Sequence, residues 1–498
     1  MTFNEANPFP KICYEIFIRS FCDSNDDGVG DLLGIVSKLD YLQNLGIEAI
    51  WLTPIHPSPS YHKYDVIDYY GIDLDFGSLD TMKRLVKEAH ARGIKILMDL
   101  IINHTSTLHP WFIEASMSKE NSFRNYYWWK TDAEINELGI AKRSISEDSQ
   151  EVFPWHENMG DDEKYYGMFY KGMPDLNFHS EALREDLQKM MHYWLYEIQI
   201  DGFRIDAARH VFPIWEAEHN VGFWKFFKKS VEDIRENTFT VGEIWAEPTE
   251  IAPYYQGVNA TFNFELSFAL QRILMFEKNE NLINRLLEAY HLYRAQNSNF
   301  IDAIMLTNHD QDRIGSVLAG NTEKLKLAAS ILLTLPGQPY IYYGEEIGML
   351  GMKPDPHIRE PFLWTSEKDD SERTTWIDPQ FSTFETVVPL SKQLLDTDSL
   401  FHHYKKLIQI RKENEILGNL LNYHIMPYQS NIDAILGYIR VFENRQLLIV
   451  NNLTSEVQNI PIEMALCEEL LYSSHASSTV QDQHITLAGY SSFMIYYK

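Results

Sequence analysis

The chain has 498 residues and a formal net charge of −28, with its acidic side chains scattered rather than gathered into a tail. That balance favours solubility and argues against a general nucleic-acid binder, which needs a basic footprint, but it is neutral toward an uncharged substrate such as a sugar. Three cysteines, Cys13, Cys22 and Cys467, are an odd number at no zinc spacing, which argues against a disulfide framework.

The N-terminal stretch MTFNEANPFPKICYEIF has no basic segment followed by a long apolar run, so no secretory signal is expected. No window reaches the ~18 uninterrupted apolar residues of a membrane span, and a cytoplasmic location is expected. Residues 13–21 read as a strand, followed by a helix over 30–46 ending at Gly46. A second strand is predicted over 47–55, a Ser-capped helix over 78–93, and a third strand over 94–102. Residues 105–179 break the alternation and are too long for a structureless loop, so they read as an inserted domain. The rhythm then resumes. Helix 180–199 leads to strand 201–208, helix 221–235 to strand 238–245, and a short helix near 249–256 to strand 260–266. Helix 282–295 leads to strand 299–307 and helix 323–335 to strand 338–344, and helix 400–414 closes the series.

Eight such units predict an α/β fold, a (β/α)8 TIM barrel formed by residues 1–104 and 180–414. The insert, 105–179, follows strand 3. Runs such as AILGYIRVF and RQLLIVNNL predict a C-terminal antiparallel β domain, a sandwich over 415–498.

DGFRIDAARH (201–210) carries the chemistry. Side chains alternate along a strand, so Arg204 and Asp206 share a face, and Asp206 lies near the carboxyl end, where such barrels hold their active sites. Arg204 below it would keep Asp206 ionised as a candidate nucleophile. A purely structural ion pair would give the same pattern. Glu243 ends the fifth strand beside Trp245, where a partly dry carboxyl group can serve as a proton donor. Asp99, Asn103 and His104 end the third strand, and Asn308, His309 and Asp310 end the seventh. Strand parity does not place His309 with Asn308 and Asp310. Two carboxyls flanking one bond are what glycoside hydrolysis requires. The aromatic runs at 125–129 and 165–170 read first as packing and second as sugar platforms.

DLIINH, GFRIDAARH, GEIW and LTNHD, in that order, resemble the four signature regions of glycoside hydrolase family 13, the α-amylase family, and MPDLN (173–177) resembles its fifth. The last is similar to a group intermediate between oligo-1,6-glucosidases and neopullulanases. The resemblance implies Asp206 as nucleophile, Glu243 as acid and then base, and Asp310 as a third catalytic carboxylate that holds sugar hydroxyls. It implies sugar contacts for Arg204, His104 and His309, and a stacking role for Tyr64. A retaining mechanism would set the Asp206 and Glu243 carboxyls roughly 5–5.5 Å apart. AARH is similar to the amylase AAKH, which places Arg209 and His210 on the leaving-group side, with Arg replacing Lys. Ala207 after the nucleophile is more similar to α-1,4-acting members. Exo-acting oligo-glucosidases carry an Asp three residues before the stacking tyrosine, where this chain has Tyr61. An α-amylase-like enzyme on starch-derived maltodextrins is therefore expected, with α-glucosidase, cyclomaltodextrinase or neopullulanase, and a transglycosylating relative as the alternatives. A non-catalytic relative would lack these acids.

DSNDDGVGD (23–31) offers Asp23, Asn25, Asp27, Asp31 and the Val29 carbonyl at alternating positions around Gly28, a hard-oxygen set suited to structural Ca2+. It differs from an EF-hand in having Gly34 at position twelve. An acidic, well-turned loop without an ion is the other reading. A related loop in the oligo-glucosidase branch binds calcium. A second calcium position in the family uses the residue matched by Asn103.

Overall fold

The computed structural model describes residues 9–139, 153–365, 370–421, 424–463, 466–481 and 483–498. The first eight residues of the stretch read for a signal, and residues 140–152 of the expected insert, lie outside the described residues. Among the described residues no helix is long and apolar enough to cross a membrane.

Eight strands close a parallel barrel: β1 Cys13–Ile16, β2 Ala49–Leu52, β3 Lys95–Leu100, β4 Gly202–Ile205, β5 Phe239–Gly242, β6 Ala260–Phe262, β7 Ile301–Met305 and β8 Gln338–Tyr342. Chain neighbours pair throughout, and β8 returns to β1 with Tyr340 beside Cys13. Alternation sorts the side chains. Trp51, Leu97, Val241, Phe262, Ala303 and Tyr340 fill the barrel, whereas Ile50, Met98, Phe203 and Ile304 face the surrounding helices. Ser78 caps the helix Leu79–Ala91 by accepting from the Thr81 N–H, and Gly46 ends Leu39–Leu45 at φ +103°, where a side chain would be strained.

Several boundaries differ from the sequence reading: the helix expected over 30–46 divides into Leu32–Ser37 and Leu39–Leu45, and the strand expected over 201–208 ends at Ile205. The strand expected over 13–21 stops at Ile16, because its partners β2 and β8 end at Leu52 and Tyr342, and Ile18–Phe21 turns into a short helix. The strand expected over 260–266 ends at Phe262. Asn263 accepts from the Leu266 N–H and starts the helix Phe264–Phe276, which the aromatic run had disguised as strand.

The insert after β3 contains the helix Pro110–Met117 and a small antiparallel sheet, with Lys164–Tyr166 between Trp129–Lys130 and Trp155–Glu157. Bridges from His104 to Asp175 and from Tyr127 to Leu176 fasten it to the rim. Tyr126, Tyr127, Trp128, Tyr165 and Tyr166 are buried, so these runs are mainly packing, while Tyr170 stays exposed.

At the carboxyl end, a five-stranded sheet runs in the order His424–Pro427, Ile435–Phe442, Arg445–Asn452, Ser492–Tyr497, Cys467–Ser473. A three-stranded sheet of Gln458–Pro461, His484–Leu487 and Thr479–Gln481 shares its core, with Val450 and Phe493 packed in one cluster with Ile460 and Ile485. Arg440 donates to the Thr334 carbonyl at 2.7 Å, and Tyr438 bonds the Thr334 hydroxyl. Arg411 donates to the Leu333 and Leu335 carbonyls at 2.8 and 2.9 Å and to that of Gly337. Every one of these acceptors lies at the end of the helix Thr322–Thr334 or in the turn before β8.

Candidate active site

Strand register sets Asp99 beside Arg204 across β3 and β4, both pointing into the barrel at its carboxyl end. The buried Arg204 guanidinium holds three carboxylates. Its Nη1 lies 2.8 Å from Asp99 Oδ1 and 2.8 Å from Asp206 Oδ1, and its Nη2 lies 2.9 Å from Glu243 Oε2. The rigid fork therefore confines the Asp206 and Glu243 oxygens to within roughly 8 Å of each other. The guanidinium also sits 5.0 Å from the Trp51 ring centroid. Trp51 Nε1 and the Tyr64 hydroxyl both donate to Asp99 Oδ2, at 3.3 and 3.1 Å.

Glu243 has the aromatic neighbour that the sequence predicted. Trp245 Nε1 donates to its Oε1 at 3.0 Å, and the indole stacks on Phe264 at 3.9 Å. The Ala207 N–H donates to Glu243 Oε2 at 3.0 Å. Ala207 has left-handed φ and ψ of 45° and 40°, a costly conformation for a residue with a Cβ, and this twist right after Asp206 turns the chain into the segment Ala208–His210.

Arg204 was expected to keep Asp206 ionised, and it does act in that direction, against burial and two neighbouring carboxylates. Burial pushes Asp206 well above the usual carboxylate range; Arg204 opposes this most strongly, and Glu243 and Asp99 add to the rise. Burial raises Asp99 as well. One cation is divided among three buried carboxylates, and their mutual repulsion works with burial against the charge on Asp206.

The β7 rim has the opposite balance. His309 continues the inward face of Ala303 and Met305, and its ring lies 5.5 Å from that of Trp51. Nδ1 meets the Glu15 carboxylate, and Nε2 lies 3.1 Å from Asp310 Oδ2 and 2.6 Å from the Tyr64 hydroxyl. Burial works against charging this imidazole, but Asp310 and Glu15 push it up to about 10, so it is a cation at neutral pH. Burial likewise works against the charge on Asp310, yet His309 and Arg359 hold that carboxyl far below its usual range. Arg359 Nη2 donates to Asp310 Oδ1 at 2.8 Å and its Nη1 to the Tyr61 hydroxyl at 3.0 Å.

The remaining expected residues surround this centre. His104 Nε2 meets the Tyr64 carbonyl at 3.1 Å, and burial lowers the imidazole to about 4, so it is neutral and helps set the Tyr64 loop. Arg209 donates to the Trp245 carbonyl at 3.0 Å and to Glu250 at 2.7 Å. That ties the loop after β4 to the one after β5. The His210 ring meets Phe169 of the insert edge to face at 5.8 Å. Glu15 and Arg359 were missed. Glu15 shares the inward parity of Cys13 and could have been found by alternation, whereas Arg359 sits in an aperiodic stretch beyond β8 that gives no signal.

The loop over 23–31 wraps on its own side chains. Asp23 accepts from the Asn25, Asp26 and Gly28 N–H groups, and Asp27 from that of Val29. Gly28 has φ +88°, as the tight turn requires. Asp31 caps the helix Leu32–Ser37 through the Gly34 N–H and accepts from Ser24.

The family described as alpha amylase, catalytic domain, matches residues 15–419, and the alpha-amylase SusG C-terminal domain matches residues 435–494. Alpha-amylase 3 of Dictyoglomus thermophilum is 38% identical over 494 residues, covering 99% of this chain and 94% of that one. Oligo-1,6-glucosidase of Bacillus cereus is 31% identical, covering 97% of this chain and 98% of that protein. The crystal structure of an alpha-amylase from H. orenii superposes with a TM-score of 0.88 at 36% identity, covering 98% of this chain and all of the other.

Proposed function

The chain belongs to the α-amylase family of glycoside hydrolases, and on that premise we propose that it cleaves α-1,4-glucosidic bonds in starch-derived maltodextrins with net retention of configuration. The observation that carries this reading is the convergence of Asp206 and Glu243 on one buried guanidinium at the barrel rim. Asp206 would attack the anomeric carbon while Glu243 protonates the departing glycosidic oxygen. Glu243 would then take a proton from water as it opens the glycosyl-enzyme. Asp310, kept ionised by Arg359 and His309, would accept hydrogen bonds from sugar hydroxyls, with Tyr64 stacked below the ring. Arg204, His104 and His309 would complete the sugar contacts, and His210, with Arg209 behind it, would face the leaving group.

Tyr61, anchored on Arg359, stands where an acidic wall would close the site to long chains, and this supports action within a chain. In a cytoplasmic setting soluble oligosaccharides, not granules, would be the substrate. Maltoheptaose digestion decides the matter. Early release of several shorter maltodextrins is expected. Glucose as the sole early product would instead mean an α-glucosidase, lengthened chains would mean transfer, and faster hydrolysis of cyclodextrin or pullulan would mean a cyclomaltodextrinase or neopullulanase.

Ca2+ would bind Asp23, Asn25, Asp27, Asp31 and the Val29 carbonyl. The donor set is all oxygen, and the turn at Gly28 brings its members onto one short loop. A second position at Asn103 is supported by its Oδ1, which is buried without a hydrogen-bond partner. Bound calcium at a hundredfold excess over Kd would add about 2.7 kcal/mol of stability. Chelation is therefore expected to lower the melting temperature, with recovery on adding Ca2+ but not Mg2+. An unchanged melting curve would rule out a structural ion.

A further inference from the structure

A second cluster of ligand-type side chains lies away from the catalytic carboxylates, where the insert meets the loop after β4. His179 follows the MPDLN segment, and Glu216 and His219 belong to the short 3-10 segment Ile214–His219. Their ligating atoms all lie within 4.8 Å of one another. The backbone kinks at Glu216 (φ −134°, ψ 22°), between two helical turns, and the Glu216 carboxylate meets His179 Nε2. Both imidazoles rest on one buried ring. Phe212 lies 5.0 Å from His179 and 5.5 Å from His219, and Trp128 meets His179 edge-on at 5.6 Å.

We propose that His179, Glu216 and His219 form a binding site for Zn2+. Two imidazoles and one carboxylate are a set that suits this borderline ion, with water completing a tetrahedral shell. The two histidines are exposed and the glutamate half-buried, so the ion can enter and the fourth position faces solvent. The apolar floor of Phe212 and Trp128 limits the freedom of the rings and lowers the local dielectric, and both effects strengthen binding. The ion would pin the insert to the loop after β4. Asn220, next to His219, already bonds the Arg209 carbonyl at 2.8 Å and the Phe212 N–H at 2.9 Å, so the clamp would extend to the segment that carries Arg209 and His210.

The test uses the full chain in excess Ca2+, which keeps the oxygen loop over 23–31 occupied, and titrates Zn2+ by calorimetry. One equivalent per chain is expected, with a higher melting temperature. Co2+ in its place is expected to give visible absorption bands of a low-symmetry nitrogen and oxygen site. His179→Gln, His219→Gln and Glu216→Gln should each weaken binding by more than the roughly 10–100-fold that loss of an outer-shell partner costs, with maltodextrin hydrolysis in calcium alone unchanged. Absence of saturable Zn2+ binding and of Co2+ bands in the native chain would overturn the proposal, even if a variant failed to fold. So would stoichiometric binding that survives in folded histidine variants.

Discussion

Asp206→Asn is expected to lower kcat on maltodextrin by roughly 10⁴–10⁶-fold, the range seen when a covalent nucleophile is removed. The substitution keeps the shape of the side chain and can still accept from Arg204, but an amide cannot form the glycosyl ester. Substrate affinity should change only a few-fold, since the sugar-binding groups of β7 are untouched. The fold should hold as well. Removing one of three carboxylates from a single guanidinium relieves repulsion, so the melting temperature is expected to stay level or rise. The combination is diagnostic: intact folding, intact binding and lost turnover. Hydrolysis at the native rate would remove Asp206 from the mechanism and the structural pairing with Arg204 would then be its only role.

Arg204→Met has the largest expected structural effect. The buried guanidinium is the cation common to Asp99, Asp206 and Glu243, and an apolar chain of similar length leaves those groups repelling one another in a dry site. Breaking a buried ion pair in this way costs about 3–5 kcal/mol. Burial and mutual repulsion already raise Asp206 and Asp99 with the cation present, and without it they rise further. Carboxyls whose folded pKa exceeds the unfolded value of about 4 bind more protons folded than unfolded, so stability falls as pH climbs through that window. The variant should therefore be inactive, and its deficit against the native chain should shrink as pH falls toward 5. Arg204→Lys should restore charge but not the fork, recovering stability better than turnover. Urea unfolding across pH measures this. A pH-independent deficit would show that the guanidinium acts by packing alone.

The convergence of Asp206 with Arg204 was legible because two simple rules coincide. Alternation fixed the shared face of Arg204 and Asp206, and the barrel topology fixed which end of the strand matters. Glu243 with Trp245 followed from the same rules. Glu15 obeyed them too but carried no motif to draw notice. Asp310 and Arg359 lie past their strands, where no period constrains direction, so their ion pair exists only in the fold. The forces on Asp206 were only partly visible, for a different reason. A sequence displays Arg204 beside Asp206 but hides that Asp99 and Glu243, from two other strands, draw on the same cation. The helix Phe264–Phe276 was lost because its first turn and β6 are equally aromatic, leaving Asn263 as the one local mark of the change.

Arg411 and Arg440 reach backbone carbonyls around the entry to β8, on the barrel face opposite the catalytic rim. Those oxygens cannot take their partners from the helix they terminate. Heat or truncation that loosened the carboxyl-terminal sheets would strip donors from the seam where the ring of strands is sealed. The two regions should then melt in a single transition, and the remote sheets count as part of the enzyme's working frame.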